Sequence, residues 1–136
     1  MSFVFKKLNT KHVTQRDMIL FGQPYDKEKY LGGVRRFTDF SYDDYEALLN
    51  LGVIDPDDCQ NQAPSVFAIA GFLRDHPNFC AHGYAVSPDR DDYRVSLEGV
   101  ECNGEYSLED VWDMCSVFLY PDELIISPGL IRCWFD

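Results

Sequence analysis

Apolar residues in this 136-residue chain recur at helical spacing in three stretches and alternate as in strands in two others. Tyr42, Tyr45, Leu48 and Leu49 share one face of a helix predicted over 42–51. Ser41 caps it, Asp43, Asp44 and Glu46 suit the positive end of its dipole, and Gly52 ends it. A second helix is expected from Pro64 to Asp75, where Pro77 stops it. Its Val66, Phe67, Ile69, Ala70, Phe72 and Leu73 point in nearly every direction, so it should be the most buried helix. A third helix is expected over about 108–119, with Ser107 as cap, Asp110 three residues on and Pro121 as the stop. There Leu108, Val111, Trp112, Cys115, Phe118 and Leu119 mark the inward face, with Glu109, Asp110, Asp113 and Ser116 outward.

Residues 79–86 and 93–101 alternate around Ser87-Pro88-Asp89-Arg90-Asp91-Asp92, strong loop chemistry between two strands. Pairing Val86 with Tyr93 sets Tyr84 opposite Val95, His82 opposite Leu97 and Cys80 opposite Gly99 on one apolar face. The other face then holds Ala81, Gly83 and Ala85 beside Arg94, Ser96 and Glu98. Leu124-Ile125-Ile126, a turn at Ser127-Pro128-Gly129 and a final strand from Leu130 form a second hairpin. In it Ile131, Cys133 and Phe135 point one way, Arg132 and Trp134 the other. The expected fold is α+β, an antiparallel sheet of about four strands (two hairpins) with about three helices packed on one face, in a single domain spanning 1–136.

Residues 1–40 are the least patterned. Phe3 and Phe5 suggest a short edge strand. Thr14-Gln15-Arg16-Asp17 has the form of a capping box ahead of a short helix through Met18–Phe21, closed by Gly22. Gln23-Pro24 and Gly32-Gly33 are breaks, and mostly loop is expected between them.

Charge changes this picture. Residues 1–38 hold eight Lys/Arg against three acids, and 39–136 hold four against twenty, within a net charge of −11. The first segment therefore reads as a basic, loop-rich strap (1–40) on an acidic body (41–136). Lys6, Lys7, Lys11 and Arg16, or Arg35 and Arg36, either touch a phosphate backbone or acidic partner, or relieve the body's self-repulsion. The second role predicts ion pairs from Arg35 or Arg36 to carboxylates of the body. The acidic balance argues against direct nucleic-acid binding and against anionic membranes. Cys59, Cys80, Cys102, Cys115 and Cys133 are odd in number and form no CxxC pair. Together with the lack of a secretory-signal pattern at Met1–Lys7, they read as free thiols in a reducing, cytoplasmic setting.

No phosphate loop, HExxH or GxSxG motif is present in the sequence, and no cofactor is implied. A metal reading rests on His76, Cys80 and His82, which end a helix and begin a strand, although their spacing fits no standard zinc pattern. Asp89, Asp91 and Asp92, or Asp55, Asp57 and Asp58, offer oxygens for calcium but lack the glycine and late glutamate of an EF-hand. His82, Arg94, Ser96 and Glu98 form an alternative site on the 79–101 hairpin, suited to a small ligand or a reaction.

The leading expectation is a small acidic interaction protein without catalysis that binds a basic protein surface, a profile shared by inhibitors, immunity-type proteins and nucleic-acid mimics. Its contact residues would be Asp89, Asp91 and Asp92 in the hairpin loop and Glu109, Asp110 and Asp113 on the third helix. The alternative is a small enzyme or ligand-binding module. A homodimer through the C-terminal strand or an exposed sheet face, with Trp134 at the contact, is a third reading.

Overall fold

The computed structural model describes residues 8–136, so Lys6, Lys7 and the strand expected at Phe3 and Phe5 lie outside the described residues. The fold is α+β. Five strands, β1 (Val34–Phe40), β2 (Cys80–Val86), β3 (Val95–Cys102), β4 (Glu123–Ser127) and β5 (Leu130–Trp134), form one antiparallel sheet in the order β1-β2-β3-β5-β4. Four α-helices join it: α1 (Val13–Phe21), α2 (Tyr42–Leu51), α3 (Val66–Asp75) and α4 (Leu108–Val117). The counts exceed the expected four strands and three helices because residues 13–40 supply both α1 and β1.

Local chemistry accounts for two helix starts directly. Ser41 and Asp44 form a capping box at α2, and Ser107 and Asp110 form another at α4; in each, side chain and backbone exchange hydrogen bonds. Gly52 closes α2 in the left-handed conformation. α3 starts two residues later than Pro64 predicts, capped by Ser65. No capping box forms at Thr14 and Asp17. Thr14 lies inside α1, which is entered through a 3-10 turn (Thr10–His12) capped by Asn9.

The hairpin register is a correction. Val86 N–H donates to the Arg94 carbonyl, and the pairs are Ala85 with Val95, Tyr84 with Ser96 and Gly83 with Leu97. The loop is thus one residue longer than expected. A bulge between His82 and Gly83 then adds another step, placing His82 beside Gly99 and Cys80 beside Glu101. A one-residue slip exchanges the faces of a strand. Ala81, Gly83 and Ala85 therefore face the helices, and His82, Tyr84, Ser96 and Glu98 share the opposite face. The small residues suit this because Phe37 of β1 lies beside Gly83 and Phe40 beside Ala81, where their rings fill the floor.

One core results. It joins Phe37, Ala81, Leu97, Val100, Ile131 and Cys133 of the sheet with Tyr45 and Leu48 of α2, five residues of α3, and Met114 and Phe118 near the end of α4. The aromatic rings of Phe72, Phe79 and Phe118 meet edge to face at its centre. β5 lies inside the sheet, between β3 and β4, and its side chains alternate as expected. Its edges are paired, so it cannot recruit a second copy by strand pairing. Trp134 is engaged with Glu98 instead.

The segment read as a strap is built into the fold. Arg16 and Asp17 are fully buried, at 0 % exposure. Arg16 donates from Nε to Asp17 Oδ1 (2.9 Å), from one terminal nitrogen to the Val86 carbonyl (2.9 Å) and from the other to the Tyr30 hydroxyl (2.7 Å). The Tyr30 hydroxyl in turn donates to Asp17 Oδ2 (2.5 Å), and the Tyr93 ring lies 4.8 Å from the guanidinium carbon. Arg16 is therefore unavailable to a phosphate or an acidic partner, and it does not offset the acidic body either. Arg35 stacks over Phe21 at 3.9 Å. Arg36 reaches Glu98, and Lys27 lies 3.5 Å from Asp89.

Candidate functional site

Three places bring candidate residues together. The first is the outer sheet face, where Glu98 is 2 % exposed. Arg36 donates to its Oε1 and the Trp134 indole to its Oε2 (3.3 Å), so both oxygens are engaged. His82 Nε2 lies 3.3 Å from the Cys133 carbonyl, which places the proton of the neutral ring on that nitrogen. Burial pushes the His82 imidazole below its ordinary value, and the nearby Arg132 adds to this. Gly99 makes room for the ring: a Cβ there would lie 3.0 Å from His82 Cε1 and 2.0 Å from the Cys133 carbonyl oxygen. His82 and Glu98 share a depression of about 130 Å³ with Arg36, Glu101, Arg132 and Trp134. Pockets that hold small ligands run to roughly 300–1,000 Å³.

Arg94 and Ser96 belong to a second cluster. Arg94 donates to Asp92 Oδ2 (3.0 Å) and to the Tyr84 hydroxyl (2.8 Å), and its Nε lies 4.0 Å from the buried Asp58. Tyr84 in turn donates to Gln60 Oε1 (2.6 Å), which Ser96 approaches at 3.4 Å. Burial raises the Asp58 carboxyl against the opposing pull of Arg94. This network fastens the 53–65 loop to the sheet. It also holds part of the expected acidic contact set. Burial alone would raise Asp92, but hydrogen bonds from Arg90 and Arg94 outweigh it and keep that carboxyl below its ordinary value. Asp89 is engaged by Ser87 and Lys27, while Asp91 is exposed.

The acids expected outward on α4 divide in the same way. His76 lies between Asp110 Oδ1 (2.9 Å) and Asp113 Oδ2 (3.2 Å), stacked on Phe72. Asp110 also accepts from Asn78 and caps α4, and these bonds hold its carboxyl low against the effect of burial. Glu109 is exposed. The metal trio is not assembled. His76 sits on these carboxylates, Cys80 neighbours Asp39 and the Glu101 carbonyl, and His82 neighbours Cys133. Among the described residues no group of three potential ligands could hold a metal ion. Burial, reinforced at Cys80 by Glu101, pushes the Cys80 and Cys133 thiols up to about 11, which disfavours a nucleophilic thiolate.

The third place lies at the far edge of the sheet, and the sequence pattern assigned it to the core. α4 is rotated from its expected orientation. Met114 and Phe118 are buried and Val111 packs against the core, whereas Leu108 is 86 % exposed, Trp112 75 % and Leu119 56 %. Cys115 lies on the same exposed side. The signal was in the sequence: Val111, Met114 and Phe118 form a second apolar stripe at i, i+3, i+7. One helix of ten residues thus carries two stripes and buries one.

A cavity of about 380 Å³ lies between α1 and β1. Its Asp44 belongs to the α2 capping box, and its Asp39 neighbours Thr38 and Cys80. No helix among the described residues is long and apolar enough to cross a membrane. Comparison with protein-family models, with curated proteins and with solved structures finds no match to this chain.

Proposed function

We propose that this protein is a non-enzymatic interaction module whose negative surface binds a basic protein, in the manner of an inhibitor, an immunity-type protein or a nucleic-acid mimic. One observation carries the reading. Between Arg94 and Arg132 the chain has no Lys or Arg, while Glu98, Glu101, Glu105, Glu109, Asp110, Asp113, Asp122 and Glu123 all fall there. Three of these, Glu105, Glu109 and Asp122, are exposed and make no ion pair among the described residues. A surface of one sign speeds encounter with a cationic partner and repels anionic ones. The contact acids of this proposal therefore differ from the expected set. Asp91 and Glu109 remain available, while Asp92, Asp110 and Asp113 are held by intramolecular bonds.

An enzyme or ligand site at His82 and Glu98 draws support from their shared burial. It ranks second because Arg36 and Trp134 engage both Glu98 oxygens and the depression is small. The test of the leading reading is affinity capture from a lysate of the source organism at low and high salt. Basic proteins retained only at low salt are the expected result; retention of none would count against it.

A further inference from the structure

Seven of the eleven large hydrophobic side chains that stand exposed among the described residues fall between Leu108 and Ile126. Leu108, Trp112 and Cys115 are spaced 4 and 3 residues apart on α4, the spacing of a helix-pairing seam, and Leu119 stands exposed just past the end of the helix. Leu124 and Ile126 of β4 are exposed as well, and the Tyr106 hydroxyl, two residues before α4, donates to the Ser127 carbonyl at the end of β4. Leu124 and Ile126 pair with Cys133 and Ile131, both core residues, so their side chains stand on the helix-bearing side of the sheet. They remain 47 % and 49 % exposed because β4 is an edge strand. Exposed apolar groups gathered in this way mark an interaction surface more often than scattered ones do.

The border of this surface says what covers it. Glu105 and Glu109 flank its start, and Asp122 and Glu123 its end. The nearest Lys or Arg in sequence beyond that end is Arg132, which pairs with Glu123. We infer that the α4–β4 face is the docking site for an amphipathic helix of a partner protein, one with an apolar stripe at three- and four-residue spacing and Lys or Arg along both borders. The seam spacing supplies the matching rows of apolar groups, and the acidic border selects the charge. A second copy of this chain would bring a like-charged border, at a net charge of −11 per copy, against the first. This inference rests on the proposed binding of a basic protein and assigns its site.

The probe is a synthetic helix of about 18 residues made only of Leu and Lys, with Leu at helical spacing. Its controls are a Leu/Glu peptide of the same pattern and a scrambled Leu/Lys peptide. Binding is read from the shift of tryptophan emission and, independently, from amide chemical-shift changes. The patterned Leu/Lys peptide is expected to bind, to move amides of α4 and β4, and to bind about tenfold more tightly than either control. Leu108→Ser/Trp112→Ser/Leu119→Ser removes exposed side chains only, so its circular dichroism should match wild type while its affinity falls about tenfold or more. Equal binding to this variant would overturn the docking site yet leave the acidic-surface reading standing. Equal binding of the Leu/Glu peptide would overturn the charge selection. Concentration-dependent dimerisation in sedimentation, abolished by the same variant, would show that a second copy is the occupant and overturn the inference as well.

Discussion

The buried Arg16 guanidinium joins α1 to Tyr30 and to the end of β2, so removing it is a large perturbation. Substituting Arg16→Met keeps most of the side-chain length but deletes three hydrogen bonds. It leaves Asp17, the Val86 carbonyl and the Tyr30 hydroxyl short of a donor in a region with no access to water. Removing one member of a buried pair costs about 3–5 kcal/mol, because the remaining charge is uncompensated. A chain of this length is stable by roughly 7–20 kcal/mol at about 0.05–0.15 kcal/mol per residue. The loss is therefore about a fifth to two-fifths of the total at the middle of that range. Replacing both members by apolar residues behaves differently, since it removes the uncompensated charge. Arg16→Met/Asp17→Leu should thus be less destabilised than the two single variants predict in sum, with a coupling of about 2–3 kcal/mol. Urea unfolding followed by tryptophan emission measures all four species, and unchanged slopes keep the comparison two-state. A single variant within about 1 kcal/mol of wild type, or a strictly additive double, would refute the view that this pair anchors α1.

Three further outcomes follow from the sheet and its thiols. His82 titrates below its ordinary value in the folded protein, so between that value and about 6.5 only the unfolded chain holds the extra proton. Stability should fall as pH drops through this window, by up to about 1.4 kcal/mol per pH unit. His82→Gln should remove that slope in urea midpoints measured across it, and an unchanged slope would place the titration elsewhere. Gly83→Ala would put a Cβ 1.9 Å from the Ser96 carbonyl oxygen, a backbone atom that cannot swing aside. It should disrupt the β2–β3 pairing and abolish cooperative unfolding, and a native-like thermal transition would count against the register. In the folded protein a thiol reagent should modify the exposed Cys59 and Cys115 rapidly, the half-buried Cys80 slowly because its thiol is pushed up to about 11, and Cys102 and Cys133 only on unfolding. Fast modification of Cys133, read by peptide mass, would contradict its burial under α4.

Much of the fold is written locally in the sequence. Ser41 with Asp44 and Ser107 with Asp110 each satisfy backbone donors within four residues, so those helix starts need no tertiary information. The alternation of Ile131, Cys133 and Phe135 likewise places β5. β1 is hidden because its pairing slips between Phe37 and Phe40, where Asp39 adopts a left-handed φ of 59° and breaks the period of two. The Arg16–Asp17 pair is illegible for another reason. Neighbouring residues on a helix do not face each other, and the partners that turn both inward, Tyr30, Val86 and Tyr93, are far along the chain. On α4 both stripes are present in the sequence, and only the position of α3 and the sheet decides which is buried. That choice sends Asp110 and Asp113 toward His76, turns Trp112 toward solvent and leaves Glu109 exposed.

The acidic surface is the centre of the account, and charge reversal on it is the most direct test. Wild type and Glu105→Lys/Glu109→Lys would be compared in capture from a source lysate at about 0.1 M and about 1 M salt, which shortens the Debye length from about 10 Å to about 3 Å. Basic proteins held by wild type at low salt, released at high salt and not held by the variant are the predicted result. Partners held equally by both proteins at both salt concentrations, or no partner at all, would contradict it.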